Sequence, residues 1–211
     1  MELILKYFPD LTNEQVKQFQ LLKDGVIDWN AKINVISRRE MEEIEERHIL
    51  HSLAIAKFHQ FNKGTRLIDV GTGGGFPGLP LAILFPDCHF TLVDSIGKKI
   101  KVVNELVELT GLKNVTSMNC RAESVREKFD FVVSRAVTAF PTFYSWTNGL
   151  VKKESSNSII NGIIYLKGGD LKKELASFGK RTKLTAIDQW FTQTFFETKY
   201  VLYLPVQGSK K

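Results

Sequence analysis

Hydrophobic positions recur along this chain with two different spacings, and the change falls near residue 63. Before it the spacing is helical. Val16, Phe19, Leu22, Val26 and Trp29 return every three or four residues, as one face of an amphipathic helix requires. Thr12-Asn13-Glu14-Gln15 stands ahead of them as a capping box, a Thr N-cap with a Gln three residues on. Ser37-Arg38-Arg39-Glu40 repeats the box before Met41, Ile44, His48, Leu50 and Leu53. The pattern predicts three helices: a short one over 2–8, then 12–32 and 39–61. From residue 65 short apolar runs take over. Leu67-Ile68-Asp69-Val70, Phe90-Thr91-Leu92-Val93-Asp94 and the segments 115–119, 129–134 and 159–167 read as buried strands. Helical segments lie between them: one opening at Pro77, one over 97–110 with Gly111 as its C-cap, one over 141–151 and a basic one over 170–178. This alternation predicts an α/β fold, a mostly parallel sheet with helices on both faces. Segments 184–190 and 200–204 break it, with only a loop between them. They predict an antiparallel hairpin closing the edge of a seven-stranded sheet. The expected division is a helical extension over 1–62 and an α/β domain over 63–211.

Composition narrows the function classes. With 43% hydrophobic and 25% charged residues the chain is an ordinary globular protein. No apolar stretch approaches the roughly 18 residues of a membrane span. Met1-Glu2-Leu3-Ile4-Leu5-Lys6 lacks the basic-then-apolar order of a signal peptide, so a cytoplasmic protein is expected. Cys88 and Cys120 form no C-x-x-C pair or metal spacing and read as reduced thiols. The net charge of +6 is unevenly placed. Residues 1–62 hold 8 Lys/Arg against 10 Asp/Glu, whereas 63–211 hold 21 against 13. A basic α/β half suits a polyanionic partner, because cations that neutralise phosphates release counterions. A basic surface kept for solubility is the plainer alternative.

The candidate chemistry begins at the glycines. Gly73-Gly74-Gly75-Phe76-Pro77-Gly78 satisfies the dinucleotide fingerprint G-x-G-x-x-G. It also fits a second pattern, an acid two residues before G-x-G-x-G: Asp69, then Gly71, Gly73 and Gly75. Asp69 closes a strand, where a carboxylate can engage a cationic amino-acid moiety directly or through water. A pyrophosphate loop has no use for an anion there. So many glycines let the backbone approach a ligand closely. Asp94 ends the next strand, 23 residues after Gly71, placed for ribose hydroxyls. That acid serves either cofactor. The loop therefore points to S-adenosylmethionine (SAM), with an NAD-dependent oxidoreductase as the competing reading. Ala122 and Glu123, just after Arg121, follow the third strand, which ends near the adenine in such a sheet. Glu123 serves equally well as a favourable acid at a helix N-terminus.

The methyl acceptor is approached by elimination. Methylating an exocyclic amine draws on an Asn-Pro-Pro-Tyr-like turn after the fourth strand, where this chain has Ser134-Arg135-Ala136-Val137. Methylating a pyrimidine carbon needs a Cys nucleophile, typically after Pro. Cys88 follows Asp87 and Cys120 follows Asn119. A ring nitrogen such as guanine N7 has a free lone pair and no proton to lose. It needs alignment rather than a general base. Arg135, Arg121 and Lys167 would hold phosphates or the guanine face, unless they are scattered surface cations.

These residues resemble the RsmG family, also called glucose-inhibited division protein B, bacterial guanine-N7 methyltransferases of 16S ribosomal RNA. The resemblance runs from about Trp29 to Leu204. It rests on Trp29-Asn30-Ala31-Lys32-Ile33-Asn34-Val35-Ile36, Arg47-His48-Ile49-Leu50, the block from Asp69 to Pro80, Leu92-Val93-Asp94-Ser95-Ile96-Gly97-Lys98-Lys99, Ser134-Arg135-Ala136 and Leu166-Lys167-Gly168. It implies a Rossmann-like class I SAM-dependent methyltransferase fold. It also implies SAM contacts from Gly71, Phe76, Ala122, Glu123 and Arg135, with Asp94 near the ribose. Arg121, Lys167, Asn34 and His48, together with Arg135, would then face 16S ribosomal RNA or the small subunit. No metal, membrane or obligate protein partner is expected. His51 departs from the family, where many members carry Asp. His48 and His51 lie three residues apart without further metal ligands at suitable spacing. Two other readings stay open: a methyltransferase with a non-RNA substrate, and an RNA-binding assembly factor with a vestigial cofactor pocket.

Overall fold

Seven strands pair into one sheet, and the computed structural model describes residues 1–33 and 41–206 of the chain. The strands are β1 (Arg66–Val70), β2 (His89–Asp94), β3 (Val115–Asn119), β4 (Phe131–Arg135), β5 (Gly162–Gly168), β6 (Lys183–Ala186) and β7 (Lys199–Pro205). Their order is β3-β2-β1-β4-β5-β7-β6. β1 to β5 pair in parallel, and β7 lies antiparallel to both β5 and β6. The predicted mixed sheet and its closing hairpin are both present. A reversed strand inserted between β5 and β6 also sets this sheet apart from the dinucleotide order 3-2-1-4-5-6.

The central strands are continuous apolar runs because both of their faces are buried. Alternate side chains of β1 and β4 feed two cores: Leu67, Phe131 and Val133 on one face, Ile68, Val70 and Val132 on the other. The first core takes in α1 (Glu2–Tyr7), α2 (Asn13–Lys32), α3 (His51–Phe58), α4 (Gly78–Leu84) and α5 (Gly97–Thr110). The second takes in α6 (Phe140–Thr147) and α7 (Lys172–Leu175). The Thr12 capping box forms as read. Thr12 Oγ1 accepts from the Gln15 amide at 3.2 Å, and Gln15 Oε1 accepts from the Thr12 amide at 3.0 Å.

Four segments differ from expectation. The helix predicted over 39–61 is wound as a π-helix at Glu45–Leu50 before α3 begins. Its predicted capping box at 37–40 lies outside the described residues. Periodicity cannot foresee the wider turn, because π-helix is rare and occurs mostly as a single turn within an α-helical run, often at functional sites. The helix predicted over 141–151 ends at Thr147 and tightens into a 3-10 turn at Asn148–Leu150. The basic helix over 170–178 contracts to α7, followed by a 3-10 turn at Gly179–Arg181. Strand 184–190 stops at Ala186. From there Ile187, Phe191 and Phe196, all fully buried, leave the sheet to pack beside the N-terminal helices. Tyr7 meets the Phe191 ring edge-on at 4.8 Å.

Candidate active site

The chain runs from β1 toward β2 and β3 on one side, then crosses to β4 on the other. This switch point, at the carboxyl ends of β1 and β4, is where open α/β sheets hold their ligands. A cavity of about 440 Å³ opens there. Its wall includes Gly71, Gly73, Phe76, Asp94, Arg121, Ala122, Glu123 and Arg135. Residues expected on separate strands are thus brought to one space.

Asp69 is placed differently from expectation. Its carboxylate is fully buried beneath the glycine loop and does not line the cavity. Oδ2 accepts from Thr72 Oγ1 at 2.6 Å and from the Gly78 amide at 2.9 Å. Asp69 therefore ties the loop to the start of α4, and a direct contact with a ligand in the cavity is not its geometry. Gly75 is also off the cavity wall; a Cβ there would strike Leu79 at 2.3 Å. Burial pushes the Asp69 carboxyl up to about 7, although both hydrogen bonds pull it down. The folded state then holds the proton more tightly than the unfolded chain does. The stability this contributes is complete below the usual carboxylate range and is lost as pH rises through about 7. Over about pH 4 to 7 the Asp69 contribution falls while those of His48, His51 and His59, whose pKa values burial lowers, rise. Asp69→Asn, which keeps both acceptor bonds, should therefore make the denaturant midpoint climb more steeply with pH than in the wild type. Parallel slopes for the two proteins would contradict this.

Asp94 sits on the wall as expected, almost fully buried. Its Oδ2 accepts from the Gly73 amide at 3.0 Å and its Oδ1 from the Ile96 amide at 2.9 Å. The two bonds fix the carboxylate between the glycine loop and the start of α5. Each oxygen keeps capacity for a hydroxyl donor.

Arg135 ends β4 and is held by the π-helical stretch. It donates from Nη1 to the Arg47 carbonyl at 2.9 Å and from Nη2 to His48 Nδ1 at 2.7 Å. Its guanidinium lies 5.2 Å from the centre of the Phe76 ring. Because His48 Nδ1 accepts, the imidazole is neutral and carries its proton on Nε2. Burial first, then the nearby Arg135 and Arg47 charges, push its pKa down to about 3. His48 lies off the cavity wall and touches it through Arg135 and Phe76, whose ring centre is 5.3 Å away. His51 packs edge-on against Phe195 at 5.4 Å. The described residues contain no group of three His, Cys, Asp or Glu that could hold a metal.

Lys167 is also displaced from expectation. Its ammonium is 2.7 Å from Glu174 Oε1 and donates to the Thr138 carbonyl at 3.1 Å, off the cavity wall. Glu174 also accepts from the Phe140 amide, and Tyr165 Oη takes the Val137 and Thr138 amides at 2.9 and 3.0 Å. Together they brace the loop after β4, where Ala136 is held at φ +54°. Arg121 is exposed on the rim, and Asn34 lies outside the described residues. Lys99, Ile96, Cys120, Val137 and Trp146 also line the wall and were not foreseen. Ile96 and Lys99 stand inside the quoted block after Asp94, and Val137 directly follows Ala136, so adjacency was a usable signal. For Trp146, on α6, no local signal exists.

The similarity to known proteins takes in this region and most of the rest of the chain. Among solved structures, a SAM-dependent methyltransferase from Aquifex aeolicus superposes with a TM-score of 0.56 at 15% identity, over 80% of this chain and 98% of that one. A SAM-dependent O-methyltransferase from Thermotoga maritima gives 0.58 at 15% identity, over 82% and 72%. At such identities the likeness establishes the fold. Sequence relatives are much nearer. The ribosomal RNA small subunit methyltransferase G of Christiangramia forsetii is 52% identical over 98% of both chains. That of Flavobacterium psychrophilum is 54% identical over 98% of this chain and 99% of its own. The family model described as GidB, rRNA small subunit methyltransferase G, matches residues 15–201. With the fold, the glycine loop and nearly the whole chain in agreement, this protein belongs to the GidB family of rRNA small subunit methyltransferases.

Proposed function

We propose that this protein transfers a methyl group from SAM to N7 of a guanine in 16S ribosomal RNA. The observation that carries the reading is the single cavity at the switch point, where the glycine loop, Asp94 and Arg135 converge. The residues suit SAM. Gly73 leaves open space where a Cβ would stand, and the Asp94 carboxylate faces the cavity for the ribose. Ala122 and Glu123 close the end expected to take adenine. When bound, SAM supplies a methyl carbon activated by its sulfonium. Guanine N7 attacks without losing a proton, so the protein's task is alignment and exclusion of water. Arg135 orients the reacting groups at the cavity wall, and Arg121 on the rim meets the RNA. Lys167 acts on the acceptor through the loop it braces. The described residues among 1–62 serve as an extension that covers one face of the sheet and, through the π-helical stretch, positions Arg135.

Among the described residues no helix is long and apolar enough to cross a membrane. We place the enzyme in the cytoplasm, with the small-subunit RNA as its partner and no metal in its reaction. Neither a non-RNA substrate nor a vestigial pocket has an observation in its favour. The test is ribosomal RNA from a strain lacking the protein, cleaved chemically at N7-methylguanosine. One cleavage in the 16S RNA should disappear and return on complementation. An unchanged pattern would overturn the reading.

A further inference from the structure

A second cleft, of about 580 Å³, opens beside the far edge of the sheet. Leu171 and Leu175 of the α7 region, Leu184 on β6 and Tyr200 on β7 form its apolar walls. Leu184 is 43% exposed, unusual for a large apolar side chain in this molecule. Strand pairing joins the cleft to the active site. Tyr200 lies directly opposite Lys167 across β5 and β7. Such partners point to the same face with Cβ atoms about 5 Å apart. Lys167 in turn reaches the Thr138 carbonyl, three residues beyond Arg135. Only β5 separates β4 from β7, so the cleft begins about 10 Å from the Arg135 strand.

The charge around the cleft is one-sided. Residues 167–184 contain six Lys/Arg and two acids. Lys172, Lys173, Lys180, Arg181 and Lys183 are exposed, and none forms an ion pair among the described residues. Both acids are engaged: Asp170 accepts from the Lys172 amide, and Glu174 is taken by Lys167 and the Phe140 amide. An aromatic wall within a cationic rim is the arrangement that binds single-stranded nucleic acid, bases on the ring and phosphates on the cations.

We propose that this cleft takes the base of an unpaired RNA nucleotide flanking the methylated guanine, stacked against Tyr200, with an adjoining phosphate on Lys172 of its wall. The proposal rests on the RNA reading above and adds a second point of attachment to it. Two fixed points on one strand would set which guanine reaches the cavity.

The full-length protein tests this with unmethylated small-subunit RNA and with a short single-stranded RNA carrying 2-aminopurine beside a guanine. Leu184→Glu puts a carboxylate into the cleft at an exposed position. It should raise KM for RNA about tenfold and leave SAM affinity unchanged. Ser177→Glu adds the same charge at an exposed residue off the cleft wall, and should change KM less than threefold. The 2-aminopurine fluorescence, quenched on binding, should recover with Tyr200→Leu and stay quenched with Tyr200→Phe. Equal effects of Leu184→Glu and Ser177→Glu would overturn the cleft, as would a wild-type KM for Leu184→Glu. A cleft that serves a protein partner would give that last result. Wild-type protein that fails to methylate the RNA would overturn both the cleft and the function it rests on.

Discussion

Replacing Arg135 by Ala will lower kcat/KM for ribosomal RNA methylation by about a hundredfold, and Lys at this position will recover little of the loss. The guanidinium does three things at once: it donates to the Arg47 carbonyl, donates to His48 Nδ1, and lies over Phe76. A Lys ammonium can make one of these contacts at a time, because it lacks the planar fork. Removing the side chain also takes the donor from a buried imidazole nitrogen, at a cost of roughly 1–3 kcal/mol. The melting temperature should fall by several degrees. The rate loss will exceed what such destabilisation explains, since assays run well below the melting point will still show it. His48→Ala should weaken catalysis less than Arg135→Ala, as it leaves the Arg47 carbonyl and Phe76 to hold the same group. Wild-type kcat/KM in folded Arg135→Ala would refute a role at the cavity.

The second large effect is expected at the glycine loop, and it separates two glycines that look alike in the sequence. Gly71 stands at φ +70°, and a Cβ on it would come within 2.4 Å of Val137 Cγ2. Ala there carries the left-handed penalty of roughly 1–2 kcal/mol and must also push Val137 aside. Val137 lines the cavity and its amide is fixed by Tyr165 Oη, so the wall moves with it. Gly71→Ala should cost about 2 kcal/mol of stability and weaken SAM binding about a hundredfold. Gly73 stands at φ +59°, with nothing within 4 Å of the added carbon. Gly73→Ala should therefore cost only the backbone penalty, about 1 kcal/mol. Its methyl group would still project into the space left for the ligand, weakening SAM about tenfold. Calorimetric titration and thermal melts read the two effects separately. Equal SAM affinities in both variants and the wild type would refute the placement of this loop against the cofactor.

Much of the architecture was legible because it rests on local rules. The apolar runs of β1 and β4 are buried on both faces, and Thr12 with Gln15 caps α2 as the spacing required. The departures come where a side chain answers to a distant partner. Leu50 and His48 fit a helical face, yet the turn that carries them is wound as a π-helix, and two of its carbonyls are taken by side chains. Arg47 O accepts from Arg135, and His48 O from Ser52 Oγ at 2.6 Å. Asp69 was read as a ligand contact from its place at a strand end, and Lys167 as one of the cations that would hold phosphates or the guanine face. Nearer partners claim both side chains: Thr72 and Gly78 for one, Glu174 and Thr138 for the other.

By itself the sequence determined the alternation of strands and helices, the glycine loop with its flanking acids, and a resemblance that fixes the family. Hydrophobic period and turn chemistry act over a few residues and are written where they act. Tertiary structure alone decided which of those acids and cations line the cavity. It set Asp94 on the cavity wall and Asp69 beneath the loop, and it brought Trp146 and Ile96 to one space. The physical reason is that burial and pairing depend on groups far apart in the chain. A carboxylate or an ammonium takes the nearest partner the fold provides, and spacing along the sequence does not say which partner that is.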